Sequence, residues 1–248
     1  MNSGVLALSE ALRKLGKASR LLGNAKFRHG LQYGVAAAIE HKHLLSRLNL
    51  RTVVDIGANI GQFSLLSRAL FPTARIYAFE PQMKAAQRFS QLFRDDALIT
   101  LFYSAIGTQS GQIEMHVSRR HDCSSLLPIS PVMTDVFPGT DEIGLIDVPI
   151  APLIKFLSAE QIADPALLKI DVQGTELDVL RACEPLLSGF RYVYIELSFV
   201  ELYVGQALCG EIIRFLDQKN FHVVGVKNLR EDGIGRTVQA DFLFRSTP

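Results

Sequence analysis

From residue 50 onwards, short apolar runs alternate with segments in which apolar residues recur at helical spacing. The apolar runs have the length of buried strands and cover residues 52–56, 75–79, 98–102, 167–170 and 192–197. The helical segments that follow cover residues 62–70, 83–93, 175–186 and 211–219, with Pro72 and Pro185 as predicted helix ends. Because parallel strands need long crossover connections that are usually helices, the alternation predicts an α/β, Rossmann-like fold with a mostly parallel sheet and helices on both faces.

Two places depart from this alternation. Residues 113–117 follow the third predicted strand after a link too short for a parallel crossover, which predicts an antiparallel excursion. Residues 221–226 and 241–244 are separated by a glycine-containing link with no room for a packed helix, so we expect the sheet to end in a C-terminal antiparallel hairpin. Residues 118–147 contain several prolines and glycines and little periodicity, which predicts a long, functional loop.

The chain divides into residues 1–49, a helical extension or cap, and residues 50–248, the main domain. Leucines recur at helical spacing over residues 8–22, opposite Arg13, Lys17 and Arg20, which predicts a basic amphipathic helix. Such a helix could touch a membrane surface peripherally or dock a partner, and a helix that covers one edge of the main domain explains the pattern equally well. A second helix is predicted over residues 31–48.

Composition excludes several classes of function. The net charge of +1 gives no field that would attract nucleic acid, so we expect no nucleic-acid partner. The chain has three cysteines without a CxxC pair, which argues against disulfides and zinc and favours a cytoplasmic location. No run reaches the roughly 18 apolar residues of a transmembrane helix, and no His-carboxylate pattern has metal-ligand spacing, so neither a membrane span nor a metal site is predicted.

The first strand runs into the most informative stretch, Asp55-Ile56-Gly57-Ala58-Asn59-Ile60-Gly61-Gln62-Phe63. A strand, a glycine turn and a helix N-terminus in this order form a nucleotide-type binding site at the carboxyl end of the strand. Gly57 and Gly61 let the backbone approach a ligand closely. Asn59 stands where the dinucleotide pattern needs its second glycine, which disfavours NAD, and a phosphate-loop motif is not present either. The turn is therefore suited to a cofactor without phosphates.

Two acidic residues supply the remaining contacts. Asp55 ends the first strand and can accept a charged hydrogen bond from the ammonium of a bound amino acid. Glu80 ends the second strand, about twenty residues after the turn, where an acid accepts hydrogen bonds from ribose hydroxyls. Adenosine joined to an amino acid without a phosphate describes S-adenosyl-L-methionine. A methyltransferase is therefore favoured over a nicotinamide-dependent oxidoreductase and a non-catalytic Rossmann-like binding module.

Four segments carry a resemblance to a known family. They are the glycine turn at residues 54–61, Phe79-Glu80-Pro81, Ser104-Ala105-Ile106-Gly107 and the segment 167–180 around Lys169-Ile170-Asp171-Val172-Gln173-Gly174. Together they resemble the FkbM methyltransferases over about residues 50–245. The resemblance implies a class I methyltransferase fold and O-methylation of a hydroxyl on a glycan, a lipid-linked saccharide or a secondary metabolite. It also implies that Ser104, Ala105 and Ile106 lie near the adenine and that residues 124–126 lie near the acceptor.

Methyl transfer to an alcohol benefits from a general base, and the late strands offer two candidates. Asp171 follows the fourth predicted strand at the ligand-binding edge and is the first candidate, either as the base or as a contact to cofactor or acceptor. Glu196 lies in an apolar strand, where a carboxylate needs a partner, and is the second candidate. The family commonly has Glu at position 173 and Asp at position 154, whereas this chain has Gln173 and Ile154.

Overall fold

The computed structural model describes residues 21–247, and the basic helix predicted over residues 8–22 lies almost wholly outside them. The strands are β1 (Thr52–Ile56), β2 (Arg75–Phe79), β3 (Ile99–Phe102), β4 (Ala105–Ile106), β5 (Gly111–Ser118), β6 (Glu142–Ala151), β7 (Ala166–Ile170), β8 (Tyr192–Ser198), β9 (Phe221–Glu231) and β10 (Thr237–Ser246). The helices are α1 (Ala25–Gln32), α2 (Lys42–Leu45), α3 (Gln62–Leu70), α4 (Met83–Leu92), α5 (Pro131–Val136), α6 (Glu176–Leu187) and α7 (Cys209–Gln218). No helix among residues 21–247 is both long and apolar enough to cross a membrane.

The main sheet has seven strands in the order β3-β2-β1-β7-β8-β10-β9. All neighbouring pairs from β3 to β8 are parallel, and β10 is antiparallel to both β8 and β9. The predicted Rossmann-like fold with a C-terminal antiparallel hairpin is therefore confirmed. The chain reverses its direction of travel across the sheet between β1 and β7, and ligands of such sheets bind in the crevice at that switch point.

The central strands are buried on both faces, as apolar runs without alternation predict. One face packs on α6 and α7 through a cluster that includes Val54, Leu168 and Leu180. The other face packs on α3 and on residues 21–50 through a cluster that includes Val53 and Phe63. Because helices and the N-terminal segment cover both faces of the sheet, the parallel register of β1, β2, β7 and β8 is fixed. The carboxyl ends of these strands therefore meet at one edge of the sheet.

Residues 21–50 differ from the predicted second helix. Helix α1 begins earlier than predicted, with the Asn24 side chain accepting from the backbone amides of the first turn, and ends before Gly34, whose φ of 69° stops the helix. Residues 35–38 have no regular structure, and the short helix α2 follows after a 3-10 turn at Ile39–His41. Ala38 donates its backbone N–H to the Gln62 carbonyl at 3.1 Å. This contact holds residues 36–41 beside the start of α3.

A second, three-stranded sheet has the order β4-β6-β5. The predicted excursion at residues 113–117 is β5, and it pairs antiparallel with β6. Strand β6 and helix α5 correct the prediction of one long irregular loop over residues 118–147. Most side chains in the first half of β6 are exposed, and the strand contains Gly144 and Pro149, so it lacks the alternating pattern that would identify it.

Two further boundaries are corrected. Strands β9 and β10 are longer than predicted, so the link between them shrinks to residues 232–236, where Asp232 Oδ1 accepts from the backbone amides of Ile234 and Arg236. Pro185 does not end a helix, because it lies inside α6. Its ring is on the exposed side, where water can satisfy the carbonyl that loses its partner.

Gly57 joins the ends of β1 and β7. The ladder continues past the strands, with Asp171 donating its backbone N–H to the Ile56 carbonyl at 3.1 Å. Gly57 has a φ of 75°, and a Cβ at this position would lie 1.8 Å from the Asp171 carbonyl oxygen. The close approach of the two turns therefore requires glycine.

We predict that Gly57→Ala is far more destabilising than Gly139→Ala. Gly139 also has a positive φ, 85°, but a Cβ there meets no atom within 4 Å. Gly139→Ala should cost about 1 kcal/mol for the left-handed conformation, and Gly57→Ala should cost at least about 2 kcal/mol more because the backbone of two turns must move apart. Urea unfolding of both variants measures the difference, and equal costs would show that the turns do not press on each other.

Candidate functional site

A cavity of about 1000 Å³ lies at the carboxyl-terminal edge of the main sheet, at the switch point. It is walled by the ends of β1, β2, β7 and β8, by residues 36–41, and by the loop 120–126. The predicted site residues that line it are Gly57, Asn59, Phe63, Glu80, Pro81, Ser104, Ala105, Ile106, Asp171 and Glu196. Asp55 and Gly61 do not line it. The structure therefore brings together residues that are up to 139 positions apart in the sequence, from Gly57 to Glu196.

The glycine turn positions the Glu80 carboxylate. Asn59, with a φ of 49°, donates its backbone N–H to Glu80 Oε2 at 2.8 Å, and Gln82 donates its backbone N–H to Oε1 at 2.8 Å. Each oxygen keeps a lone pair for a further donor. The turn after β1 and the turn after β2 thus hold one carboxylate against the cavity wall.

The environment of Glu80 makes the ionisation of its carboxyl depend on pH near neutrality. Burial raises the pKa of Glu80 to about 7, although the two backbone hydrogen bonds act in the opposite direction. A ligand that donates two hydroxyl hydrogen bonds prefers the ionised carboxylate. Binding of such a ligand should therefore release a proton.

Gly61 has a different role from the predicted one. It is the N-cap of α3 with a φ of 98°, and a Cβ there would lie 2.7 Å from Phe93 Cε2 and 3.1 Å from Phe89 Cδ2. Gly61 thus faces the rings of Phe89, in α4, and Phe93, just after α4. The lack of a side chain at Gly61 lets α4 pack closely against the start of α3, and Gly61 does not line the cavity.

Asp55 meets an amino group, but that group belongs to the protein. The buried Asp55 carboxylate lies 3.0 Å from Lys169 Nζ through Oδ1 and accepts from Ser64 Oγ at 2.7 Å through Oδ2. Lys169 Nζ also donates to the Gly57 carbonyl at 2.8 Å and to the Ile56 carbonyl at 3.3 Å. The structure therefore shows Asp55 paired with Lys169 and Ser64, and Asp55, which was predicted to contact the ammonium of a bound amino acid, is not part of the cavity lining.

Lys169 was not predicted as a site residue, although a lysine inside an apolar strand is a signal that could have identified it. Burial alone would lower the pKa of Lys169, but the carboxylates of Asp55 and Asp171 outweigh burial and the pKa lies above its usual value. The ammonium is therefore charged. It also lies 5.5 Å from the centroid of the Phe63 ring, at the cavity wall.

One end of the cavity is largely apolar. Phe79, Pro81, Ala105 and Ile106 line it, and Ser104 Oγ donates to the Ala105 carbonyl at 2.8 Å. The loop 120–126 crosses above this end, with Gln82 Nε2 donating to the His121 carbonyl at 3.2 Å. Within the segment implied to approach the acceptor, Ser124 and Leu126 line the cavity.

The other end carries two carboxylates joined by an amide. Gln173 Nε2 donates to Asp171 Oδ1 at 2.7 Å and to Glu196 Oε2 at 3.3 Å, and Tyr203 donates its hydroxyl to Gln173 Oε1 at 2.8 Å. A glutamate at position 173 would put a third carboxylate in this group. Gln173 instead supplies donors, which explains how this chain tolerates Asp171 and Glu196 side by side.

Glu196 and Asp171 lie in different environments. Burial, reinforced by the carboxylates of Asp171 and Asp241, raises the pKa of Glu196 well above its usual value. Gln239 Nε2 donates to the same oxygen as Gln173, at 3.2 Å. The Asp171 side chain is 40% exposed and lies 3.8 Å from Lys169 Nζ. The site thus has one buried carboxyl that favours protonation and one accessible carboxylate beside a cation.

A histidine network adjoins this end and was not predicted. His41 Nδ1 lies 2.7 Å from the Tyr194 hydroxyl and 3.0 Å from Asp241 Oδ2. Asp241 Oδ2 also accepts from the Tyr194 hydroxyl at 2.9 Å and from Asn228 Nδ2 at 2.6 Å. His41, Asn228 and Asp241 line the cavity. Sequence spacing gives no signal for this network, because its members come from the N-terminal segment, β8, β9 and β10.

The residues present fit S-adenosylmethionine. A buried carboxylate with free lone pairs suits ribose hydroxyls, apolar walls suit a purine, and the turn at Gly57 presents backbone without side chains. Within residues 21–247, no cluster of three or more His, Cys, Asp or Glu side chains is arranged to hold a metal ion.

Comparison with known proteins agrees with this assignment. The model of the methyltransferase FkbM domain matches residues 55–223. The chain is 27% identical to the 2-O-methyltransferase NoeI of Sinorhizobium fredii (strain NBRC 101917 / NGR234), over 90% of this chain and 91% of that protein. It is 29% identical to Methyltransferase 1 of Beauveria bassiana (strain ARSEF 2860), over 53% of this chain and 58% of that protein.

Solved structures that align with this chain are more distant in sequence. The magnesium protoporphyrin IX methyltransferase ChlM of Synechocystis PCC 6803 aligns with a TM-score of 0.47 and 12% identity, over 94% of this chain and 91% of that chain. Among the three functions that the sequence left open, the family match selects the methyltransferase. The chain belongs to the FkbM methyltransferase family, and it is an S-adenosylmethionine-dependent methyltransferase.

Proposed function

We propose that this enzyme O-methylates a hydroxyl of a polyhydroxylated acceptor, a glycan, a lipid-linked saccharide or a hydroxylated secondary metabolite. The observation that carries the proposal is the polar end of the cavity. Hydrogen-bonding side chains line that end, contributed by Asp171, Gln173, Glu196, Asn228, Arg230 and Gln239. Carboxylate and carbonyl acceptors stand among amide and guanidinium donors, so several hydroxyl groups can be bound at once. The similarity to NoeI, a 2-O-methyltransferase, supports transfer to oxygen.

The apolar end with Glu80 is proposed to hold the cofactor. Glu80 would accept hydrogen bonds from the ribose hydroxyls. Pro81, Ser104, Ala105 and Ile106 would hold the purine, and the backbone at Gly57 and Asn59 would line the rest of the cofactor site. When bound, S-adenosylmethionine supplies an activated methyl group on sulfur. Phe63 lies between the two ends, within a cluster that also contains the rings of His41 and Tyr194.

Asp171 and Glu196 are proposed to bind the acceptor. The exposed Asp171 carboxylate accepts a hydrogen bond from an acceptor hydroxyl, while the protonated form of Glu196 can donate one. Holding the reacting oxygen in line and excluding water account for much of the rate of a displacement at a methyl carbon. Residues 1–49 are proposed to act as a cap, since residues 36–41 close one side of the cavity.

The function is tested by transfer of labelled methyl. The purified enzyme is incubated with methyl-labelled S-adenosylmethionine and with separate fractions of glycans, lipid-linked saccharides and small metabolites. We expect label in a hydroxylated fraction, as a methyl ether that survives mild base. Label on nitrogen, on sulfur or as a base-labile ester would contradict O-methylation of a hydroxyl.

We predict that binding of S-adenosylhomocysteine strengthens as the pH rises through 7. A carboxyl with a pKa of about 7 is mostly protonated near pH 6 and mostly ionised near pH 8, so the dissociation constant should fall by about tenfold between these values. Calorimetry in buffers of different ionisation enthalpy should also show proton release on binding below pH 7.

The variant Glu80→Gln is the control for this pH dependence. It should lose the pH slope and should bind about 1 to 3 kcal/mol more weakly at pH 8, because a neutral amide replaces charged hydrogen bonds. An unchanged slope in this variant would show that another group titrates and would remove Glu80 from the cofactor site.

We predict that Asp171→Asn lowers kcat/KM for the acceptor by roughly 10²-fold while S-adenosylhomocysteine affinity changes by less than about twofold. The amide no longer accepts the hydroxyl hydrogen bond as a carboxylate does, and it faces the Lys169 ammonium. Asp178→Asn is the matched control, since Asp178 is an exposed residue of α6 outside the cavity. Full activity of Asp171→Asn would exclude Asp171 from the acceptor site.

A further inference from the structure

His41 enters the cavity with its two ring nitrogens in different environments. Nδ1 lies 2.7 Å from the Tyr194 hydroxyl, 3.0 Å from Asp241 Oδ2 and, at the longer distance of 3.4 Å, near Asn228 Nδ2. Among the residues that the structure describes, none is hydrogen-bonded to Nε2. The side chain is 20% exposed, whereas that of Asp241 is 6% exposed. Because the Nδ1 edge points to buried partners, the exposed edge is the one that carries Nε2, and His41 lines the cavity.

The partners of Nδ1 favour one tautomer. Tyr194 and Asn228 both donate to Asp241 Oδ2, so this oxygen is an acceptor surrounded by donors. Burial would raise the pKa of Asp241, but hydrogen bonds from His41, Asn228 and Tyr194 hold it below its usual value. An ionised Asp241 is best satisfied when Nδ1 carries a hydrogen. Nε2 is then the nitrogen with a lone pair.

Packing holds the imidazole in place. The ring contacts Phe63 edge-on, with centroids 5.7 Å apart, and Tyr194 edge-on, with centroids 5.5 Å apart. Asp241 is paired with Glu196 in the register of β10 and β8, so their side chains lie on the same face of the sheet. His41 therefore adjoins the polar end of the cavity, where the proposed function places the acceptor.

The two carboxyl groups of that end are less suited to accept a proton. Asp171 lies 3.8 Å from the Lys169 ammonium through Oδ2 and accepts from Gln173 through Oδ1, so both of its oxygens already have a partner. Glu196 favours its protonated form, and its Oε2 is occupied by the amides of Gln173 and Gln239. A neutral imidazole oriented by a buried carboxylate is an arrangement that accepts protons efficiently.

We propose that His41 is the general base, taking the proton of the acceptor hydroxyl on Nε2, and that Asp241 and Tyr194 are positioning residues that fix its tautomer. This inference rests on the proposed O-methylation. The oxygen forms a bond to the methyl carbon while the carbon–sulfur bond breaks, and that electron pair stays on sulfur. The hydroxyl proton moves to Nε2, and the imidazolium, stabilised by Asp241, later releases it to water.

Kinetics of His41→Ala test the proposal, with methyl-labelled S-adenosylmethionine and the saccharide fraction that accepts label. We expect kcat to fall by roughly 10² to 10⁴-fold, while S-adenosylhomocysteine affinity and the KM for the acceptor change by less than about threefold. Added imidazole should restore part of kcat in His41→Ala and should leave the wild type unaffected. His43→Ala is the matched control, because His43 is exposed on the same segment and outside the cavity. It should retain wild-type activity.

The supporting carboxylate has its own variant. Asp241→Asn should lower kcat by at least about tenfold, because the amide no longer enforces a hydrogen on Nδ1. Imidazole should not restore it, because the His41 side chain still fills its position. A kcat of His41→Ala within about threefold of the wild type, or a loss that imidazole does not relieve, overturns the role of His41.

A measurement on the wild type keeps the proposal falsifiable should the variants fail to fold. Nitrogen NMR of the neutral His41 ring, in the complex with S-adenosylhomocysteine, should show a protonated Nδ1 and an unprotonated Nε2. The opposite tautomer overturns the proposal. The failure of the proposed function has a different signature: label then appears on nitrogen or sulfur in the wild type, and the base for a hydroxyl falls with it. Label on a hydroxyl together with a fully active His41→Ala overturns the base alone.

Discussion

The site depends on one buried ammonium group. Lys169 Nζ lies 3.0 Å from the Asp55 carboxylate and donates to the carbonyls of Ile56 and Gly57, so it ties the end of β7 to the end of β1. A buried charge of this kind is tolerated only with a partner and several hydrogen bonds, and losing one partner leaves the other uncompensated. The turn at Gly57 is thereby held against the Asp171 backbone. The cavity opens beside the turns after β1 and β7, and neither turn can move without the other.

Local sequence information was sufficient for the main sheet and for placing Glu80 at the cavity. The strand 52–56 and the helix 62–70 match their predicted bounds, because a doubly buried strand and an amphipathic helix are periodic over their own lengths. Glu80 was found because its distance from the glycine turn follows from one βα unit. Strand β6 was missed, since its exposed half has no alternating pattern, and Asp55 was given a ligand because its true partner is 114 residues away in the sequence.

The histidine network shows why the rest of the site could not be read from the sequence. His41 and Asp241 are 200 residues apart in the sequence. Asn228, which contacts both, has a left-handed backbone conformation, with a φ of 52°, within β9. No spacing rule joins an N-terminal segment to the last hairpin. The connection exists because β10 inserts between β8 and β9, which places its Asp241 beside Tyr194, and because Ala38 is hydrogen-bonded to the start of α3.

The two ends of the cavity are built from different parts of the chain, and this separation has a consequence for function. The Glu80 end comes from the turns after β1 and β2, which consecutive βα units hold rigidly. The polar end comes from the turn after β7, from strands β8 to β10 and from residues 36–41. Of these, residues 36–41 and the last hairpin lie outside the parallel part of the sheet. Under the proposed O-methylation, changes in those outer elements would alter which hydroxyl is bound without disturbing the contacts of Asn59 and Gln82 to Glu80. The fold can therefore keep one cofactor while the outer elements adapt to different acceptors.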